Sequence, residues 1–420
     1  MKIYENPSRA QWPELCRRPS SSNPVVRERV LKILERVKEG GDEALMQIES
    51  ELAGVPAASF EVSGEEIAAA AQLVSEDVRA AIAEAAQNIN AFHKAQLPSE
   101  ISVETAPGVR CIQRPVPIQK VGLYIPGGTA PLFSTVLMLA IPARLAGCRE
   151  VILCTPARSP EVLYAASVCG ISRIFRLGGA QAVAAMAYGT ESVPRVHKIF
   201  GPGNQYVTCA KQILAGSTVA IDMPAGPSEV MVIADESTNP AFAAADLLSQ
   251  AEHGRDSQVV LVCPSRAVAG AVQEEVTRQV ALLGREELAQ GALGNSSIVI
   301  LPSEDDTVDF ANEYAPEHLI VSTSDPGRIT GRITAAGSVF VGAYTPESAG
   351  DYASGTNHTL PTCGWAVSFS GVNIDSYIRK MTVQEISREG LEGLAPTIVA
   401  MAEAEGLQAH ANAVKIRTKQ

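Results

Sequence analysis

Two side chains able to bind a metal lie three residues apart in the segment LLSQAEHG, namely Gln250 and His253. This segment is predicted to end a helix, so both side chains share one face and could reach the same ion. Taken alone, the spacing fits a solvated or capping histidine better. Asp351, from a glycine-rich segment, and His410, from the C-terminal tail, are further candidates. A set of nitrogen and oxygen donors without thiolate suits Zn²⁺ in an accessible site.

An adjacent carboxylate and imidazole, Glu317 and His318, stand at the start of a predicted strand. Such a pair could be a surface dipeptide. Beside a glycine-rich segment, however, both groups are placed for proton transfer, since each can act as a base. His358 in that segment is a further candidate. His93 and His197 are interpreted as structural, and Asp246 and Glu252 as solvated positions on the helix that carries Gln250.

Three glycine-containing turns follow predicted strands and open helices, at residues 125–131, 177–183 and 200–207. In an open parallel sheet all three lie at the carboxyl edge, where helix N–H groups attract anions such as a pyrophosphate. None of them is a GxGxxG motif, and each taken singly fits an ordinary turn. Together they favour a nucleotide ligand, with Tyr124, Gln181 and Asn204 as the polar groups that hold it.

The elements that must position these residues are short apolar strands alternating with helices, typical of parallel sheets covered on both faces. The predicted strands are 121–125, 150–154, 173–177, 197–200 and 218–222, then 229–234, 258–262, 297–301, 318–322 and 337–341. The fold class is therefore α/β, with two Rossmann-like parallel-sheet units that meet near Pro227.

Helical patterning lies on either side of these two units. At the N-terminal end, Asn23-Pro24 predicts a helix start and Gly40-Gly41 its end, and a capping box at Ser63 and Glu66 opens a helical region to about Lys94. Residues 342–371 are dense in Gly, Ser and Thr and are expected to form a functional loop. From Asp375 the pattern again predicts helix, including the segment SYIRKMTVQEIS.

Composition narrows the functional classes. The chain has 420 residues, 46% hydrophobic and 19% charged, which predicts more than one domain of a globular protein in water. A net charge of −12 without a basic block argues against nucleic acid and anionic membranes as partners. No signal peptide or membrane span is predicted, and the eight cysteines form no CxxC pair. Reduced thiols and a cytoplasmic protein are expected.

Nine segments of the chain resemble the histidinol dehydrogenase family over nearly its whole length. They are VGLYIPGGTAPLFSTVLMLA, GGAQAVAAMAYGTESVP, FGPGNQYV, IDMPAGPSEV, DLLSQAEHG, PEHLI, GSVFVG, PESAGDYASGTNHTLPT and KMTVQEIS. The resemblance implies a homodimer with one Zn²⁺ per subunit. It also implies oxidation of L-histidinol to L-histidine, the final step of histidine biosynthesis, in two NAD-dependent steps through an aldehyde that stays bound.

The resemblance also implies a role for individual positions. The zinc ligands fall on Gln250, His253, Asp351 and, from the neighbouring subunit, His410. The bases fall on Glu317 and His318, and the nucleotide contacts on Tyr124, Gln181 and Asn204. The substrate contacts fall on Ser228, Gln250, His253, Glu317, His318, Asp351, His358, Glu405 and His410.

The expected domains follow the same resemblance. They are an N-terminal arm (1–19), a larger α/β domain with the metal and catalytic residues (20–123 and 228–372), a Rossmann-like NAD-binding domain (124–227) and a helical tail that crosses to the partner subunit (373–420).

Three alternatives remain open from the sequence. The first is an aldehyde-dehydrogenase-like mechanism with a cysteine nucleophile, for which Cys111 and Cys148 are the nearest candidates, although neither has a neighbour that would lower its pKa. The second is a related enzyme that oxidises another amino or hydroxy alcohol, against which the His358 and Glu405 pair argues. The third is a zinc- or nucleotide-binding module without turnover.

Overall fold

The computed structural model describes residues 1–18, 24–53, 59–127, 131–224 and 226–419. The strands are β1 Lys2–Glu5, β2 Ile101–Ala106, β3 Val109–Pro117, β4 Lys120–Tyr124, β5 Glu150–Cys154, β6 Arg173–Phe175, β7 Lys198–Phe200, β8 Ala220–Ile221, β9 Glu229–Ala234, β10 Gln258–Cys263, β11 Ser297–Ile300, β12 His318–Ser322, β13 Ser338–Val341 and β14 Ile378–Ile386. The helices are α1 Trp12–Leu15, α2 Pro24–Ala53, α3 Gly64–Leu73, α4 Glu76–Lys94, α5 Phe133–Ala146, α6 Pro160–Val168, α7 Gly179–Tyr188, α8 Gln205–Leu214, α9 Pro240–Ala251, α10 Arg266–Val280, α11 Glu286–Gly294, α12 Glu304–Tyr314, α13 Pro326–Thr330, α14 Glu347–Tyr352, α15 Arg388–Ala404 and α16 Gln408–Thr418.

Two parallel sheets confirm the predicted α/β fold. One has five strands in the order β6-β5-β4-β7-β8, and the other six in the order β1-β11-β10-β9-β12-β13. Apart from β1, the strands of the two sheets follow the same relative order. In each sheet the strand that comes first in the sequence, β4 or β9, lies in the middle. Every residue of β9 and β10 is buried, as expected for a sheet covered on both faces.

The N-terminal arm extends the six-stranded sheet. Strand β1 pairs in parallel with β11, from Lys2 opposite Ser297 to Glu5 opposite Ile300. The short α1 follows and buries Trp12 against Phe310, whose ring centre lies 5.5 Å away. The sequence did not predict this strand. Its position at the sheet edge depends on pairing with residues almost 300 positions later.

A third sheet corrects the prediction for the segment SYIRKMTVQEIS. Most of it is not helix but strand β14, which pairs with β3 along its whole length in an antiparallel sheet of order β14-β3-β2. Its Thr382 and Val383 are β-branched, and such residues suit a pleated, half-exposed surface. Just before it, Tyr377 stacks on Phe200 at 4.1 Å and donates to the carbonyl of Leu139, which fastens this sheet to the five-stranded unit.

The N-terminal helices cover the five-stranded unit. Helix α2 packs on α7 and α8, α3 on α6, and α4 on α5. The expected break at Gly40-Gly41 is confirmed as a kink, with Gly41 at φ 49°, after which the chain continues helically to Ala53. The capping box at Ser63 and Glu66 is also present, but the region it opens forms two helices, because Val74 leaves the helical conformation and Ser75 caps α4. The predicted cap Asn23 lies outside the described residues.

The long loop after β13 connects the two units. It contains α14, so the expectation of thirty residues without regular structure is wrong in part. Farther along, Asn357 donates to the carbonyl of Met138, and Thr362 accepts from the amide of Gly226.

Within the described ranges, no helix has the length and apolarity needed to cross a membrane.

Candidate active site

The candidate site lies at the amino edge of the six-stranded sheet, between its neighbouring strands β9 and β12. Glu229 is the first residue of β9, and Glu317 immediately precedes β12. Helix α9 runs back from the carboxyl edge and brings Gln250, in its last turn, to the same place. This edge is opposite to the one at which open α/β sheets usually bind ligands.

The backbone amide and carbonyl of Glu229 contact the side chains of the catalytic candidates. Its amide donates to Glu317 Oε2 at 2.8 Å, and its carbonyl lies 3.2 Å from both Gln250 Nε2 and His318 Nδ1. His318 Nδ1 is also 3.7 Å from Glu317 Oε2. His318 Nδ1 also lies 3.0 Å from Gln250 Nε2. In the tautomer that donates from Nδ1 to the Glu229 carbonyl, the imidazole can accept a proton at Nε2.

Four buried polar atoms in this site have no hydrogen-bond partner among the described residues: Gln250 Oε1, His318 Nε2, Glu347 Oε2 and Asp351 Oδ1. His318, Glu347 and Asp351 place ligand atoms within 4.8 Å of one another, and His318 Nε2 lies 3.5 Å from Asp351 Oδ1. Unpaired buried polar atoms require an explanation, and a bound ion is one of the usual ones. The nitrogen and oxygen donors fit Zn²⁺.

The electrostatics of the cluster also fit a cation. Burial raises the pKa of Glu347 to about 8, although the His318 charge opposes this. Burial likewise raises the pKa of Glu317. Burial alone would lower the pKa of His318, but the charges of Glu347 and Glu317 raise it well above its usual value. A bound divalent ion would reverse this trend, because its positive charge favours the deprotonated form of neighbouring groups.

A cavity of about 530 Å³ lies beside this cluster, between the amino edge of the six-stranded sheet and the carboxyl edge of the five-stranded sheet. Ser228 and His253 line it from the first side and Asn204 from the second. His358 lies deeper, with Nε2 3.0 Å from Thr135 Oγ1 and Nδ1 2.9 Å from the Asp351 carbonyl. Gln250 and both predicted bases are buried, and the Asp351 side chain beside them is 15% exposed. His253 is exposed and faces the adjoining cavity.

The turn that carries Asn204 is built rigidly. Gly201 has φ 124°, and a Cβ there would lie 2.0 Å from the carbonyl oxygen of Tyr124. Lys211 and Asp222 form a buried ion pair that holds both backbone groups of Gly201. Lys211 Nζ donates to the Gly201 carbonyl, and the Gly201 amide donates to Asp222 Oδ2. Asn204 accepts from the first amides of α8 and so caps that helix. This turn offers close backbone approach and a helix N-terminus to an anionic ligand.

The other two nucleotide candidates are less accessible. Tyr124 is buried, and its hydroxyl accepts a hydrogen bond from the amide of Gly179. Gln181 is also buried and donates to Glu49 Oε1 at 2.8 Å. Both therefore lie behind the carboxyl edge rather than on the wall of the cavity. Residues 128–130 of the first glycine turn fall outside the described ranges.

The two tail candidates lie apart from the cluster within one chain. Glu405 directly follows α15, and His410 is in α16, which packs on α15. Both residues are exposed. The single chain therefore brings together the body of the site without the two predicted contributions of the tail.

Two residues of the cluster were not identified in the sequence. Glu347 lies four positions before Asp351 on α14, a spacing that places two carboxylates on one helix face and could have been noticed. No sequence pattern identified Glu229, because its role depends on the position of its backbone.

The interpretation of Asp246 as solvated is wrong. Asp246 is partly buried, and burial raises its pKa to about 7.

The cysteine candidates lie in surroundings unsuited to a nucleophile. Cys111 is in β3 of the antiparallel sheet, and burial raises the pKa of the Cys148 thiol to about 12. Cys363, whose amide donates to Glu229 Oε1, has a pKa raised by burial to about 11. Since the thiolate is the reactive form, these values argue against a thioester mechanism at Cys148 and Cys363.

Comparison with known proteins gives one consistent family. The sequence model described as histidinol dehydrogenase matches residues 16–418. A histidinol dehydrogenase from Bacteroides thetaiotaomicron is 53% identical, with 99% of each chain covered. One from Aliivibrio fischeri is 52% identical over 99% of this chain and 95% of its own. The crystal structure of histidinol dehydrogenase from Elizabethkingia anophelis matches with a TM-score of 0.96 at 48% identity, covering 100% of this chain and 98% of that one.

A pH-dependent difference in stability is expected for Asp246→Asn. In the folded protein the pKa of Asp246 is raised from 3.8 to about 7, so folding favours the protonated acid. The wild type should therefore lose stability as pH rises from about 4 to about 7, whereas Asn, which cannot ionise, should not show this loss. Thermal unfolding of both proteins from about pH 5 to about pH 8.5 should show their difference growing in favour of Asp246→Asn and levelling off above about pH 7.

The matched control is Asp256→Asn, at an exposed position just after the same helix. Its difference from wild type should be constant over that range. A constant difference for Asp246→Asn as well would contradict the buried, protonated carboxyl.

Proposed function

This chain belongs to the histidinol dehydrogenase family, and we propose that it oxidises L-histidinol to L-histidine with two equivalents of NAD⁺, through histidinal that stays bound. The observation that carries the proposal is the buried Glu317–His318 pair facing the unpaired donor atoms of Gln250 and Asp351. A base pair beside a cation site suits an alcohol substrate that needs both proton removal and firm orientation.

We propose that Gln250, His253 and Asp351 hold Zn²⁺ together with His410 donated by the partner subunit. The free oxygens of Gln250 and Asp351 support this assignment. When bound, the ion would hold the imidazole and amino nitrogens of the substrate and fix its orientation. Ser228 and His358, with Glu405 from the partner subunit, would supply the remaining substrate contacts.

His318 would act in the first oxidation. Its Nδ1 is held by the Glu229 carbonyl, so the lone pair of Nε2 can take the proton of the alcohol as hydride leaves the carbon. Glu317 would act in the second oxidation, because an aldehyde has no hydride to give until water adds. Its carboxylate, fixed by the Glu229 amide, would remove a proton from that water.

We propose that the five-stranded unit binds NAD and that the six-stranded unit supplies the metal and the bases. The rigid turn at 200–204 and the N-terminus of α8 support the first assignment, since both face the cavity beside Ser228 and His253. Asn204 would contact the dinucleotide at this wall, with Tyr124 and Gln181 behind it. The bound nicotinamide would accept the hydride.

The direct test follows NADH absorbance with L-histidinol and NAD⁺. The wild type should form about two NADH per histidinol. Activity should disappear on chelation and return with Zn²⁺, while thermal unfolding shows a folded protein throughout, because the ligands come from elements held by large apolar cores. Full activity in protein shown by elemental analysis to lack metal would refute the zinc assignment.

Variants of the base pair should fail in different half-reactions. Glu317→Gln should slow oxidation of added histidinal by about 10²-fold or more, because water activation is lost, and slow alcohol oxidation far less. His318→Asn should slow alcohol oxidation by a similar factor. Single-turnover measurements with each substrate separate the two steps. Equal losses in both steps for both variants would show that the pair acts as one unit.

Mixed dimers should test the contribution of the tail. His410→Ala and Glu317→Gln, each nearly inactive alone, are unfolded and refolded together so that subunits exchange. If the tail crosses, a mixed dimer has one site with an intact body and an intact tail. Random pairing makes roughly half of the dimers mixed, so activity should recover to about a quarter of wild type. Absence of recovery, with exchange confirmed by mass, would place His410 in its own subunit's site or in none.

A further inference from the structure

A buried ion pair links the N-terminal arm to the candidate site. Arg18 binds both carboxylate oxygens of Glu229, with Nε 3.0 Å from Oε1 and Nη2 3.1 Å from Oε2. The Arg18 side chain is 10% exposed and that of Glu229 only 1%. A bidentate pair between two nearly buried groups has a strongly constrained geometry.

Arg18 also contacts the chain segment that leads to the two bases. Its guanidinium carbon lies 3.6 Å from the ring centre of Tyr314, and its Nη2 donates to the Tyr314 carbonyl at 2.5 Å. Tyr314 ends α12, three residues before Glu317. One guanidinium therefore ties the end of α12 to the first residue of β9.

A second contact to the Glu229 carboxylate comes from another segment of the chain. The amide of Cys363, in the long loop, donates to Glu229 Oε1 at 2.7 Å. Cys363 has φ 56°, which is uncommon for a residue with a side chain and persists only where surrounding contacts hold it. The Glu229 side chain thus joins three segments that are far apart in sequence.

We infer that Arg18 is a positioning residue for the Glu317–His318 pair and acts through Glu229; this inference rests on the proposed function. Arg18 fixes the Glu229 side chain, and the backbone of Glu229 in turn holds the Glu317 carboxylate and the His318 imidazole. Nothing in the geometry places Arg18 at the substrate. Its effect is on the orientation of the bases.

Arg18 also compensates the charge of a buried carboxylate. Glu229 and Glu317 are both buried, and the amide of Glu229 donates to the Glu317 carboxylate, so two acidic side chains lie close together in a buried site. The guanidinium offsets the Glu229 charge. Without it, an uncompensated carboxylate would lie beside Glu317, and breaking a buried pair in this way is strongly unfavourable.

The test compares Arg18→Met, Arg18→Lys and the control Arg17→Met in the zinc-loaded enzyme. Arg17 is exposed and adjacent to Arg18. For Arg18→Met, kcat should fall about tenfold or more with histidinol and with histidinal, because misplaced bases act poorly in both steps. The KM for histidinol should change by less than about threefold, because the proposed contacts of Ser228, His358 and Glu405 with the substrate remain. Arg18→Lys, which keeps the charge but not the bidentate geometry, should recover part of kcat, and Arg17→Met should match wild type.

Folding is measured alongside activity. Zinc content, thermal unfolding and the concentration of active sites show whether a variant loses kcat per site or only folded molecules. A loss explained entirely by unfolded protein, or an Arg18→Met variant with wild-type kcat per site, would overturn the inference. If Arg18→Met does not fold, Arg18→Lys decides: a folded Arg18→Lys with wild-type kcat would also overturn it. A wild type inactive on histidinol would instead remove the proposed function, and this inference with it.

Discussion

Negative charge buried at one edge of a sheet is the constraint on which this structure depends. Glu229, Glu317, Glu347 and Asp351 all lie at or near the amino edge of the six-stranded sheet. Burial opposes ionisation of the last three and raises the pKa of Glu317 and Glu347, whereas the neighbouring His318 lowers the pKa of Asp351. Each carboxylate needs compensation. Arg18 supplies it for Glu229, a backbone amide for Glu317 and His318 for Asp351, while an oxygen of Glu347 has no partner among the described residues. The remaining excess of negative charge is what a cation would balance.

The two parallel sheets contribute opposite edges to the same cavity. The five-stranded sheet presents its carboxyl edge, with a glycine turn and the start of α8. The six-stranded sheet presents its amino edge, with the residues just before β9 and just after α9. Helix N-termini attract anions, whereas the amino edge here holds acidic groups and imidazoles. A similar strand order in two units therefore supports different chemistry, because each unit turns a different edge to the cavity.

Local sequence patterns predicted what depends on local structure. The apolar runs of β5 and β9 were placed with the bounds found in the structure, because a fully buried parallel strand needs an uninterrupted apolar segment. Strand β14 was missed because its exposed, mostly polar sequence becomes a strand only by pairing with β3. The burial of Asp246 depends on tertiary packing around α9, on which α14 lies, and Arg18 pairs with Glu229, more than 200 residues away. No periodicity within one segment contains that information.

Strand β1 has a consequence for the order in which the protein is made. Its four residues leave the ribosome long before their partner β11, which is synthesised almost 300 residues later. The five-stranded sheet, whose strands all lie between residues 120 and 221, can close while the nascent chain is still growing. The six-stranded sheet cannot, because its outer edge waits for Ser297–Ile300. Assembly of the charged cluster is therefore a late event in biosynthesis, because Glu317, Glu347 and Asp351 all follow β11 in the chain.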